Sequence, residues 1–229
     1  MPWATDYKAA DLSGLILHPD IRELLQIQLD LAPADRSNLL FYGKPGRGKT
    51  QVAQLFQNHP DYGETEYHDF STPENQGKSS QRTIIDIVSK RNSLRSFFTG
   101  DNRKPHLFIL DEFHILTDKA LQQQFNSALE TQPNHRYIII TNDITTLAAN
   151  TLDRLFRVGF DLSDKELKSP AIAKQAIPVA RKILEFFNTK TDFSDDEIAT
   201  LYNTKTIHSF RDFFRALELA HLKKSGTPT

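Results

Sequence analysis

The chain has no cysteine. That excludes a disulfide framework and any thiolate metal site. It has no apolar run near the length of a bilayer span. Its opening, "MPWATDYKAADL", lacks a basic stretch with an apolar core behind it and does not read as a secretory signal. These absences lead to the expectation of an intracellular, cytoplasmic protein with no membrane partner. Neither sign of charge is in excess. Lys and Arg total 28 against 29 Asp and Glu, for a net charge of −1, so contact with nucleic acid would have to come from a local basic patch. There is no internal repeat and no low-complexity tract. What remains is ordinary: 229 residues, 38% hydrophobic and 25% charged, enough for one large domain or two small ones.

What is present begins with "GKPGRGKT", Gly43–Thr50. It has the form of a phosphate-binding loop, which must follow a buried strand and open a helix. "NLLFYG" leads in, short and apolar enough for that strand. "TQVAQLF" leads out, with Val52, Leu55 and Phe56 on one helical face. A strand and helix alternation then runs to Leu162. Further strands are expected at Glu64–Phe70, His106–Leu110, Arg136–Thr141 and Arg157–Leu162. One helix is expected over Gln81–Phe98, with Ile84, Ile85, Val88 and Leu94 inward. Another is expected over Thr117–Glu130, with Leu121, Phe125, Ala128 and Leu129 inward and Thr117 as its cap. Such alternation predicts an α/β fold with a parallel sheet between helices. From Ser163 the pattern holds only helices: Ala171–Phe187, Ser194–Asn203 and Ser209–Lys224, with "SDKE" and "SDDE" fitting capping boxes. The boundary falls between residues 1–162, an α/β nucleotide-binding domain, and 163–229, a small helical domain.

The loop assigns chemistry to particular groups. Gly43, Gly46 and Gly48 let backbone N–H groups approach phosphates, Lys49 neutralises phosphate charge, and the Thr50 hydroxyl is a ligand for Mg²⁺. Lys44, Pro45, Arg47 and Gln51 complete the nucleotide-binding stretch. "LFILDEF" puts Asp111 and Glu112 after a strand, Asp111 for the metal and Glu112 as general base toward the attacking water. Asn142, at the end of another strand, can orient the water or sense the γ-phosphate. Arg154 and Arg157 precede the last strand, and an arginine suits charge spread over phosphoryl oxygens. For Arg157 a surface pairing with Asp153 or Asp161 is the preferred reading. In "HSFRDFFRALELA", Phe210, Phe213, Phe214 and Leu217 read as core, and Arg211 or Arg215 can reach the nucleotide.

In that order, the loop, "DEF", "TN" and the two later arginines resemble an AAA+ ATPase. More narrowly, the chain is similar to the ATPase subunits of DNA sliding-clamp loaders. These are the replication factor C small subunit family and above all its bacteriophage version, the clamp-loader large subunit. "WATDYKAADLSGLILHPDI" resembles the family's W-x-x-K-Y-x-P opening, with Asp6 and Ala9 in place of its Lys and Pro. The resemblance puts this segment near the adenine. Lys44 and Arg47 stand where Pro and Thr are usual. Asn142 and Arg154 are twelve positions apart, the family's spacing from sensor 1 to the arginine finger, although Ser-Arg-Cys is here Asp153-Arg154-Leu155. "SFRDFFRALEL" resembles the sensor 2 helix and favours Arg211. Family members carry a third, collar domain, and the resemblance here stops after the second.

The resemblance implies a P-loop NTPase sheet domain followed by a helical lid, with ATP and Mg²⁺ as ligands. Its implied partners are other loader subunits, a sliding clamp and primer–template DNA. Lys78, Arg82, Lys90 and Arg91 fall where loaders face DNA, and a solvated helix face explains them equally well; Arg82 is the DNA candidate. Two other readings stay open: a different AAA+ ATPase of DNA metabolism, such as a helicase loader or transposition regulator, and a nucleotide-locked assembly module.

Overall fold

The apolar runs form the centre of a five-stranded sheet. The structure, a computed structural model, describes residues 3–90, 104–189 and 192–225. Its strands are β1 (Leu39–Tyr42), β2 (Thr65–Asp69), β3 (His106–Asp111), β4 (His135–Thr141) and β5 (Phe156–Gly159), in the spatial order β2-β3-β4-β1-β5. Every pairing is parallel. The interior strands β3, β4 and β1 are buried almost throughout, as continuous apolar runs require. The edge strand β2 is half-buried along its length. β5 starts one residue before the expected segment and ends three residues sooner. Its partner β1 stops at Tyr42, opposite Gly159, so the ladder has nothing further to pair with.

The helices among the described residues are α1 (Trp3–Asp6), α2 (Pro19–Asp30), α3 (Lys49–Gln57), α4 (Lys78–Lys90), α5 (Lys119–Thr131), α6 (Ala149–Leu152), α7 (Asp164–Leu167), α8 (Pro170–Phe186), α9 (Asp195–Asn203) and α10 (Phe210–Ser225). By their contacts the described residues fall into two compact units. One takes those of Met1–Leu24, Lys44–Leu55 and Phe160–Thr229, the other those of Leu25–Gly43 and Phe56–Gly159.

In the sheet unit, Ile84, Ile85 and Val88 of α4 join Leu121, Phe125 and Ala128 of α5 in one core with Leu40, Phe108, Leu110 and Ile139. Leu129 packs against its margin. Each fully buried Val, Leu, Ile or Phe among them contributes about 1.5–3 kcal/mol by leaving water. The remainder of the expected helix beyond Lys90, with Arg91 and Leu94, lies outside the described residues. The cap of α5 is Asp118, not Thr117. Asp118 Oδ1 accepts from the N–H groups of Ala120 (2.9 Å) and Leu121 (3.3 Å). The helix starts at Lys119, which makes Asp118 the flanking residue, and its carboxylate also suits the positive helix end. Near the start of β3 and β4, the rings of His106 and Phe108 stack at 4.3 Å, with His135 and Tyr137 beside Phe108.

In the other unit, α7 to α10 follow one another with no strand among the described residues. Both expected capping boxes form. Ser163 and Glu166 exchange bonds of 2.8 and 3.2 Å, and Ser194 and Glu197 do the same. Phe210, Phe213, Phe214 and Leu217 are buried as expected. The N-terminal segment is held by these helices. Trp3 stacks on Phe187 at 5.0 Å, and its N–H donates to Glu218 Oε2. Tyr7 meets Phe186 edge-on, and the Gln175 amide accepts from Leu17 N and donates to Leu17 O.

Candidate nucleotide site

Because the sheet is parallel, the ends of β1, β3 and β4 carry Tyr42-Gly43, Asp111-Glu112 and Thr141-Asn142 on one edge. In such sheets this carboxyl edge is where ligands bind. β1 runs straight into the loop. Gly43, Gly46 and Gly48 have φ of 125°, 73° and 93°, all in the region glycine tolerates without cost. α3 then opens at Lys49, with Val52 N donating to Gly48 O at 2.9 Å. A glycine-rich turn that opens into a helix start is the form of an anion cradle.

Gly46 is constrained twice over. A Cβ there would fall 3.0 Å from Ser209 Cβ and Oγ and 3.3 Å from Arg211 Cβ. Its carbonyl accepts from Phe210 N at 3.1 Å. The structure thus brings Arg211, at the start of α10, beside the loop; Arg215 is a turn further along. Lys49 is 5% exposed, and its Nζ donates to Lys44 O at 2.9 Å. Lys44 N donates to Asp161 Oδ1 at 2.7 Å. Asp161, weighed above as a partner for Arg157, therefore holds the loop backbone. Arg47 is buried, and its charge acts on the Tyr202 hydroxyl, which burial drives well above the ordinary phenol range.

The acid pair belongs to the sheet unit. Asp111 is 4% exposed; its Oδ1 accepts from Glu112 N at 2.8 Å and its Oδ2 from the Tyr67 hydroxyl at 2.6 Å. Burial, then the charge of Asp111, hold the Tyr67 proton well above the usual range. Glu112 has φ 53°, a left-handed conformation that costs a non-glycine residue about 1 kcal/mol or more. Phe113 fixes this turn from within, buried against Phe70 and Phe125. Asn142 Nδ2 donates to Glu112 Oε2 at 2.9 Å, and His114 Nδ1 lies 3.3 Å from the same oxygen. Thr141 Oγ1 and the backbone of Asp143 bond to each other, which sets the turn that presents Asn142.

Arg154 is not tied to Asp153. Its Nε donates to Glu130 Oε1 at 2.8 Å, and its terminal nitrogens reach the same oxygen and Asn150 O. Arg157 lies within β5 and is exposed. Lys78 and Arg82 sit one turn apart on the exposed side of α4. Tyr67, His114, Ser209 and the loop-holding role of Asp161 were not singled out from the sequence. The one usable signal was Ser209 opening "SFRD", where its Oγ accepts from Asp212 N at the start of α10.

Residues 39–162 match the AAA family, the ATPase family associated with various cellular activities. Among curated proteins, the chain is 30% identical over 144 residues to a replication factor C small subunit of Halobacterium salinarum, covering 61% of this chain and 41% of that protein. It is 27% identical over 180 residues to a probable replication factor C subunit 5 of Caenorhabditis elegans, covering 75% and 48%. It is 28% identical over 176 residues to replication factor C subunit 3 of Schizosaccharomyces pombe, covering 73% and 48%. The chain spans about half the length, or less, of these relatives. They bear out the resemblance drawn from its motifs. Among solved structures, a RuvB variant of Thermotoga maritima overlays with a TM-score of 0.69 at 14% identity, over 96% of this chain and 68% of that one; the two share a fold. No helix among the described residues is long and apolar enough to cross a membrane. With its sheet, loop and acid pair all inside a match that covers more than half of its length, the chain belongs to the AAA family of ATPases.

Proposed function

We propose that the chain binds ATP with Mg²⁺, hydrolyses it, and works as a subunit of a sliding-clamp loader on primed DNA. The observation that supports this reading is a full hydrolytic set, Lys49, Thr50, Asp111 and Glu112, in a chain whose relatives are replication factor C subunits. The loop N–H groups and Lys49 take the phosphate charge, and Arg211 adds to it. The Thr50 hydroxyl and the Asp111 carboxylate are the metal ligands. Both are hard oxygen donors, the type Mg²⁺ takes. When bound, Mg²⁺ neutralises charge developing on the phosphoryl oxygens. Glu112 accepts the proton of the attacking water, with Asn142 fixing its carboxylate. Arg154 of a neighbouring subunit stabilises the transition state.

In the assembly, ATP binding joins subunits around primer–template DNA and opens the clamp, and hydrolysis releases both. Lys78 and Arg82 give a local basic face for the DNA backbone. The test is the ATPase rate with primed DNA and clamp added together. It is expected to rise, and to rise more at low salt, because phosphate contacts release counterions. A rate indifferent to both would leave an AAA ATPase with a different partner, such as a helicase.

A further inference from the structure

Asp111 is gripped from a neighbouring strand. Tyr67 on β2 pairs with Ile109 on β3, two residues before Asp111, so the two side chains share a face of the sheet. The phenol oxygen lies 2.6 Å from Asp111 Oδ2, the short distance of a hydroxyl donating to a charged carboxylate. The other oxygen is held by Glu112 N at 2.8 Å. A carboxylate has about four acceptor sites, and these two bonds use one on each oxygen. One donor stands on β2 and the other in the turn after β3, so together they fix the plane of the carboxylate and not merely its position. A phenol carries its proton at neutral pH, so Tyr67 is the donor of this bond and the carboxylate accepts it. Phenylalanine would supply the same ring to this half-buried edge position; what the hydroxyl adds is the bond to Asp111.

We infer that Tyr67 is a positioning residue for the metal, setting the orientation in which Asp111 meets the cation. The inference rests on the metal role proposed for Asp111. Partners that orient a metal-binding carboxylate are typically worth about 10–100-fold in metal affinity.

The experiment uses the full chain carrying Glu112→Gln, so that bound ATP is not consumed. ATP affinity is measured in EDTA and across a Mg²⁺ titration, and bound Mn²⁺ is followed by paramagnetic resonance. Tyr67→Phe is expected to leave the EDTA affinity unchanged and to raise the metal concentration needed by about 10-fold. Asp111→Asn is expected to remove the metal dependence. If Tyr67→Phe matches its parent while Asp111→Asn loses the dependence, the inference is overturned and the metal role of Asp111 stands. If Asp111→Asn keeps the dependence, the metal role fails and the inference with it. Loss of folding or of EDTA affinity in Tyr67→Phe makes it a packing residue and also overturns the inference.

Discussion

In the proposed reaction Lys49 and Glu112 act on different parts, so their loss should look different. Glu112→Gln keeps the shape of the side chain and removes the base, so ATP binding is expected to persist while turnover drops about 10²–10⁴-fold. Lys49→Ala removes phosphate charge and is expected to lose binding first. Equilibrium binding beside single-turnover hydrolysis separates the two, and equal loss of affinity in both would refute the assignment. Arg154 poses a question of magnitude. Its pairing with Glu130 must open before it can serve another site, and the pair is partly exposed. Such pairs are worth about 0–1 kcal/mol, small against the 10³–10⁵ in rate that an arginine finger supplies. The loop glycines and Lys49 were readable because backbone conformation and spacing are local. Tyr67 and Ser209 were not, since the first acts across a strand pairing and the second approaches Gly46 from a distant helix.

At the scale of elements, β3 and β4 carry a proton sensitivity at their starts. His135 is 4% exposed, with Nδ1 3.0 Å from the Tyr137 hydroxyl, which itself donates to Val88 O. Burial, helped by neighbouring His106, pushes its pKa down from 6.5 to about 4. Between those values the unfolded chain holds the proton and the folded one does not. Stability is therefore full above pH 6.5 and lost as pH falls toward 4, by up to about 1.4 kcal/mol per unit from this group. Urea midpoints followed by circular dichroism between pH 6.5 and 5 check it. His135→Gln is expected to show the shallower slope, and equal slopes would remove His135 as the cause. The interior strands were legible because burial on both faces demands unbroken apolar runs. β2 was expected over Glu64–Phe70 and forms over Thr65–Asp69, one residue shorter at each end. The cap of α5 was misplaced by one residue because Thr117 and Asp118 are both good acceptors, and only the start of the helix separates them. α2 was not anticipated, since Pro19–Asp30 lay partly within a segment read for its family signature.

For the whole molecule, the proposed finger makes each active site the property of two chains. Arg154→Ala and Glu112→Gln are each expected to be nearly inactive alone. Mixed, they are expected to recover part of the rate at interfaces that combine one chain's Glu112 with the other's Arg154. Wild-type specific activity should also climb with protein concentration. Mixing that restores nothing, while crosslinking shows the two variants in one assembly, would transfer the question to Arg157. Within a single chain, the bond from Phe210 N to Gly46 O has a different significance. It makes one peptide of the phosphate loop the anchor for the first turn of α10, the helix that bears Arg211. A twist of that peptide alters the pull on the helix start without any side chain relaying it. The loop is in this sense a hinge pin for α10, joined to the helix start through backbone alone.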